Sequence, residues 1–312
     1  MAQIDASRET RSQLINYVEG FNAADSEVVG TASLGKQQAA EEVIEADRIF
    51  HVRGGYAQLP QFLASKITAA HGQILLRAQV GEVGWSPGDV SFRCRHSGKE
   101  STFRAKCAII AVPLGVLQSG SIRITPEPRQ AAEAIASMRM GYAWRNVLVF
   151  RGRFWTGLKA HPKLEELSFL FSSKTIPSTW WTSFPERTPT LTAWAGGPRA
   201  DALSSFGPQE ARDRVCRVLA DILGVEVNLV QNQLVQCVFH DWQRDPFSMG
   251  SYSYVPKGAL EASARLSDPL EETLFFAGEH TDITGHWGTV HGAMRSGLRA
   301  AHPVLKMPLA AK

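Results

Sequence analysis

LFFAGEHTDITGHWGTVHGAMRSGLRAA, residues 274–301, carries the densest chemistry in the chain. An apolar run ends at Gly278-Glu279, a polar loop follows, and small residues then recur at helical spacing from Gly288-Thr289 onward. The pattern predicts a strand over 273–277, a turn, and a helix over 289–301 with Gly292, Ala293 and Gly297 on one face. Glycines at the carboxyl end of a strand let backbone approach a ligand closely. The N–H groups of a helix start favour an anion or a carbonyl oxygen. The segment is a candidate cofactor site, although a plain strand-to-helix connection packed tightly on a sheet has the same composition.

Outward from this stretch, Leu14, Ile15, Val18 and Phe21 predict an amphipathic helix over 11–22, ahead of a polar, alanine-rich segment running to Asp47. Ile49-Phe50-His51-Val52 reads as a short strand and Gly54-Gly55 as a tight turn. Leu59, Phe62, Leu63 and Ile67 read as the buried face of a helix stopped near Gly72. Strand-like runs follow at 74–76 and 80–83. The alternating stretch 90–94 suits an exposed antiparallel strand, and 107–112, closed by Pro113, one buried on both faces. The middle predicts a helix over 128–138 and strands at 146–150, 167–171, 191–195 and 235–239. Val215, Val218, Leu219, Ile222 and Leu223 form the apolar stripe of a helix opened by Pro208 and ended by Gly224. The end of the chain shares the texture of residues 50–113 more than that of the middle. The fold class expected is therefore mixed α/β, with two interleaved domains.

Composition narrows the function. Of 312 residues, 44% are hydrophobic and 20% charged, so the chain can bury a core. A net charge of +3 gives no electrostatic reason to expect nucleic acid. No apolar run approaches the roughly 20 residues that span a bilayer, and the polar start MAQIDASRETRSQL is unlike a secretory signal. The expectation is a cytoplasmic protein with no membrane partner. Cys94, Cys107, Cys216 and Cys237 form no CxxC pair, so buried free thiols are expected and neither a metal site nor a disulfide framework.

AGEHT with GTVHGA and SGLRAA resembles the C-terminal FAD-binding signature of flavin-containing amine oxidases, especially the polyamine oxidase and flavin-type histone demethylase branch. Three further segments match in order: VRGGYAQLPQFLA at 52–64, CAIIAVPLGVLQ at 107–118 and DWQRDPFSMGSYSYVPKGA at 241–259. The resemblance implies the C-terminal part of a Rossmann-like FAD-binding domain, at 49–118 and 246–312. Interleaved with it would be a mixed-sheet substrate domain, a helical part at 1–48 and the sheet at 119–245. It further implies oxidation of an amine C–N bond, with hydride transfer to flavin N5 and reoxidation by O2. Carried over, Glu279 would bond the ribityl or pyrophosphate part of FAD, and the N–H groups of Thr289 and Val290 would meet the pyrimidine edge of the flavin. Gly278 and Gly288 would line the cofactor, Val80 would meet the adenine through its backbone, and Val112-Pro113 would close the strand beside it. Trp242 would pack near the flavin ring. Ser251 stands where monoamine oxidases carry a cysteine bonded to FAD, so the cofactor would be non-covalent. Tyr252 would form one wall of an aromatic cage for the amine, with Thr289 at the opposite wall leaving it half open.

Two departures qualify the resemblance. Where the family places a lysine that holds a water against flavin N5, the aligned residue is Arg145; guanidinium is a planar, permanently protonated fork, whereas an ammonium holds a single water. A register shift of one or two would instead make Arg145 an ordinary exposed strand residue. Secondly, GxGxxG occurs nowhere in the 312 residues, so the motif expected to bind the ADP half of FAD is missing. A separate N-terminal FAD-binding chain is a possible partner, and a non-catalytic binding module is the rival reading. Carotenoid desaturases and protoporphyrinogen oxidases share parts of the AGE signature, but SYSYV and GTVHGA argue against them.

Overall fold

The computed structural model describes residues 7–45, 50, 52–158, 164–172 and 174–307. Helices α1 (Arg8–Asn22), α2 (Thr31–Val43) and α3 (Gln58–Ala69) come first, then the meander β1 (Ala78–Ser86), β2 (Asp89–His96) and β3 (Lys99–Ala105). Next are β4 (Ala108–Ile110), α4 (Leu114–Gln118), β5 (Arg123–Thr125), α5 (Arg129–Ser137), β6 (Arg139–Met140) and β7 (Ala143–Phe150). β8 (Phe169–Phe171), β9 (Thr179–Trp181) and β10 (Thr190–Gly196) lead through α6 (Pro198–Asp201), α7 (Pro208–Leu223) and α8 (Val227–Gln233) to β11 (Leu234–Phe239). β12 (Ser253–Tyr254), α9 (Ala262–Ser267), β13 (Leu274–Phe276) and α10 (Val290–Leu305) complete the elements. The fold is mixed α/β.

These residues form two compact units. The first is drawn from Met1–Gly30, Pro113–Gly115 and Met138–Gly258, the second from Thr31–Val112, Val116–Ser137 and Ala259–Lys312. In the first, five antiparallel strands run in the order β11-β7-β10-β9-β8. Alternate residues Trp144, Leu148 and Phe150 of β7 and Leu191, Ala193 and Ala195 of β10 face one core, with Trp155, Trp180 and the α7 stripe Val215, Val218, Leu219 and Leu223. Each fully buried large apolar side chain there contributes about 1.5–3 kcal/mol. α7 begins with Pro208 at its first turn and the Glu210 carboxylate accepting the Gly207 N–H. It ends at Gly224, whose φ of +62° suits only glycine without strain.

The second unit holds a four-stranded sheet, β3-β2-β1-β5, and a separate parallel pair, β13-β4. β2 is antiparallel to both neighbours, with Val90 and Cys94 buried and Arg93 and Arg95 turned out. The 107–112 run was expected to be buried on both faces. Ile109 is in fact exposed between buried Ala108 and Ile110, because two strands cannot cover both of their own faces. The helix carrying Leu59, Phe62, Leu63 and Ile67 forms, yet none of its side chains is buried, and Phe62 is 56% exposed. A helix buries its stripe only where another element packs against it. Residues 74–76 are an exposed loop rather than a strand. Of the strand expected over 49–52, Ile49 and His51 lie outside the described residues, and Phe50 and Val52 are not in a strand. Likewise α1 forms as expected while Leu14, Ile15 and Phe21 of its apolar side remain exposed.

Candidate functional site

In the second unit, β13 delivers the chain to Gly278, whose φ of +127° an L side chain rarely adopts; a Cβ there would meet the His280 ring at 2.5 Å. Gly278 N–H donates to Ser296 Oγ on α10 (2.8 Å), and Arg299 on the same helix donates to the Phe276 carbonyl and to Thr281. Strand, turn and helix thus form one locked piece. The Gly288 N–H donates to the Glu279 carboxylate (2.7 Å), which fixes the last turn before α10, where Gly288 takes φ +71°. Thr289 is the N-cap, its Oγ1 accepting from Gly292 N–H (3.0 Å), and Val290 opens the helix half exposed. The first-turn N–H groups precede the helix's own hydrogen-bond ladder. Gly292 serves packing, because a Cβ would lie 2.1 Å from the His286 carbonyl oxygen; Gly297 faces open space.

The loop itself is organised by Asp282, a residue the sequence reading passed over. Its buried Oδ1 accepts from Thr284 N–H, Thr284 Oγ1, Gly285 N–H and His286 N–H at 2.6–3.0 Å. Burial opposes its charge, but these donors outweigh it and hold the carboxyl below its usual range. Burial, with a smaller contribution from Arg299, holds His280 below the ordinary imidazole value against the opposing pull of Glu279. A neutral imidazole is the less costly form there, since His280 Nε2 is buried with no hydrogen-bond partner among the described residues. Val80 lies in β1 at a bulge, and Val112 is half-buried just past β4.

In the first unit, Arg145 is exposed on the side of β7 away from the core, directly opposite Trp194 of β10. Tyr252 is half-buried ahead of β12 and its hydroxyl donates to the Phe21 carbonyl; Trp194 Nε1 donates to the Gly20 carbonyl (2.7 Å). Two consecutive carbonyls at the end of α1, which the helix itself leaves unpaired, therefore anchor two aromatic rings from distant parts of the sequence. Ser251 Oγ is buried without a partner among the described residues. Trp242 is partly exposed in the β11–β12 loop, edge-on to His240 at 4.4 Å, and His240 pairs with Asp245 (2.8 Å). Pro113 also belongs to this unit.

The model of the flavin-containing amine oxidoreductases matches residues 3–305. The chain belongs to this family. It is 32% identical over 267 residues to lysine-specific histone demethylase 1 homolog 1 of Oryza sativa subsp. japonica, covering 82% of this chain and 29% of that protein. With polyamine oxidase 2 of Arabidopsis thaliana it shares 34% over 208 residues, 64% of this chain and 39% of the other. Among solved structures, cyclohexylamine oxidase from Brevibacterium oxydans superposes with a TM-score of 0.71 at 19% identity, over 96% of this chain and 65% of that one. Putrescine oxidase bound to putrescine gives 0.65 at 21%, over 81% and 53%. The chain spans well under half the length of the curated relatives it matches.

The family's cofactor is a flavin, FAD, and the donor set of the second unit fits its flavin end. A capped helix start, a glycine turn with φ values that L side chains rarely adopt, and a carboxylate fixed by a backbone N–H are all present. Nothing in the sequence supplies the glycine-rich loop for the ADP end. No helix of the described residues is long and apolar enough to cross a membrane.

Proposed function

We propose that this chain supplies the substrate-binding part and the C-terminal share of the FAD-binding part of an amine oxidase. The observation that carries the reading is the locked turn from Gly278 to Val290, in a chain whose family match runs almost end to end. FAD held there would supply the hydride acceptor for the carbon bearing the amine, so that the amine leaves as an imine that water hydrolyses, and dioxygen would reoxidise the cofactor with release of hydrogen peroxide. Thr289 and Val290 would present N–H groups, backed by roughly half a positive charge of helix dipole, to negative charge on the flavin's pyrimidine edge. Glu279 would hold the turn while meeting the ribityl or pyrophosphate portion; Gly278 and Gly288 would allow close approach. Within the second unit, Val80 and Val112 would complete the cofactor's surroundings. Tyr252, its hydroxyl fixed on Phe21, would orient a neutral amine by its ring face. Arg145 would hold a water by hydrogen bonding but could not release a proton to it. We place the protein in the cytoplasm on its four free thiols.

Purified residues 1–312 should carry non-covalent flavin absorbance and release peroxide with mono- or polyamines. A folded, colourless protein would sink the claim that the chain holds flavin alone. A second reading, a binding module or a half-enzyme that needs a separate dinucleotide-binding chain, is favoured by the uncovered apolar surfaces of α3, residues 74–76 and α10. Repeating the flavin measurement with such a chain added separates the two.

A further inference from the structure

The side of the five-stranded sheet turned away from its core carries a continuous row of rings. Phe171 and Phe169 stack at 5.9 Å, Phe169 meets Trp181 at 6.3 Å, and Trp181 meets Trp194 at 6.1 Å. Strand register accounts for the row. Phe169 pairs with Trp181 and Phe171 with Thr179, while Trp194 pairs with Thr179 on one side and Arg145 on the other, so all of these lie on one face. The row ends at Trp194, whose ring is pinned to the Gly20 carbonyl next to the Phe21 carbonyl that pins Tyr252. Arg145 stands directly beside Trp194; buried Thr192 continues from Trp181 to Val147, and Val238 extends the face on β11. β7 to β11 contain no Asp or Glu, and Arg145 is their one charged residue.

We infer that this face selects an amine with a single positive charge and an apolar or aryl arm, the arm lying along Trp194, Trp181 and Phe169, and disfavours di- and polyamines. The inference rests on the amine-oxidase reading of Tyr252 and Arg145. A second ammonium further along the arm would lose water among the rings and find no carboxylate on the strands to replace it. Ring faces attract cations only weakly at exposed sites, less than a desolvated ammonium loses. A methylene arm gains with length, about fourfold in affinity for each methylene buried.

The test is calorimetric titration of the purified, flavin-free 1–312 chain with propylamine, hexylamine, octylamine and benzylamine, and with 1,6-diaminohexane and spermidine. Affinity should rise about fourfold per methylene up to the length of the row, and 1,6-diaminohexane should bind at least tenfold more weakly than hexylamine. Trp194→Ala should flatten the length dependence and Trp194→Phe should restore most of it. Phe171, 71% exposed at the far end, offers a variant that leaves folding intact: Phe171→Ser should weaken octylamine and leave propylamine unchanged. Equal or tighter binding of the diamine, or affinity independent of arm length, overturns the inference. The titration needs no flavin, so a colourless protein that binds hexylamine would count against the cofactor reading and leave this one standing.

Discussion

Single residues decide how the candidate cofactor turn is held. Asp282 satisfies three backbone N–H groups and one hydroxyl in a buried loop, so Asp282→Ala strands several donors at once. The expected loss is about 3 kcal/mol or more, read from chemical denaturation; under 1 kcal/mol would mean that water replaces the carboxylate. His280 sets the pH response. Its folded-state value lies below the ordinary 6.5, so the native state resists a proton that the unfolded chain accepts. Stability is then complete above about pH 6.5 and falls as pH drops below it, by up to about 1.4 kcal/mol per pH unit. Urea midpoints from pH 7.5 to 5.5 should show the fall, and His280→Asn should reduce its slope. Cys216, by contrast, is buried with its thiol pushed up to about 11, and should resist alkylation in the folded protein. Neither the Asp282 network nor the His280 environment can be read from AGEHTDITGH, because each depends on which atoms the turn brings within reach.

Elements are where the sequence reading succeeded most and was corrected most. α7 and α10 announce themselves through Pro208 and Gly224, and through Thr289 and the small residues after it, since these signals act within one turn of the chain. Burial does not act locally. The α3 stripe has the spacing of a core helix and yet lies exposed, because periodicity shows only that a face is available. Within α10 the glycines, alike in sequence, differ in role. Gly292→Ala gains roughly 1 kcal/mol of helix propensity but drives a Cβ into the His286 carbonyl, a clash worth about 1–3 kcal/mol, so the variant should be destabilised. Gly297→Ala meets nothing and should stabilise by about 0.5–1 kcal/mol. Thermal denaturation of the pair should give opposite signs; the same sign would refute the packing of α10 described here.

At the scale of the whole molecule, apolar surface is distributed unevenly. The first unit closes its core around the α7 stripe, whereas the second leaves α3, residues 74–76, Ile109 and the Val290, Met294 and Leu298 stripe of α10 uncovered. Leu63→Glu with Ile67→Lys should therefore cost under about 0.5 kcal/mol each and reduce self-association in sedimentation; a large loss of stability would show that the face is covered in solution. A dinucleotide-binding chain that docks on the second unit should raise its stability by about 2.7 kcal/mol at a hundredfold excess over its Kd, together with flavin retention. The sequence by itself determined the family, the mixed α/β class and most helix and strand positions, because caps, glycine turns and ordered motifs are local signals. Only the tertiary structure decided which apolar faces are covered, that Gly292 serves packing while Gly297 does not, and that Trp194 and Tyr252 are both anchored on the end of α1, with Arg145 beside Trp194 in the sheet. Those outcomes depend on strand register and on contacts across as many as 231 residues, and neither is encoded within any one stretch.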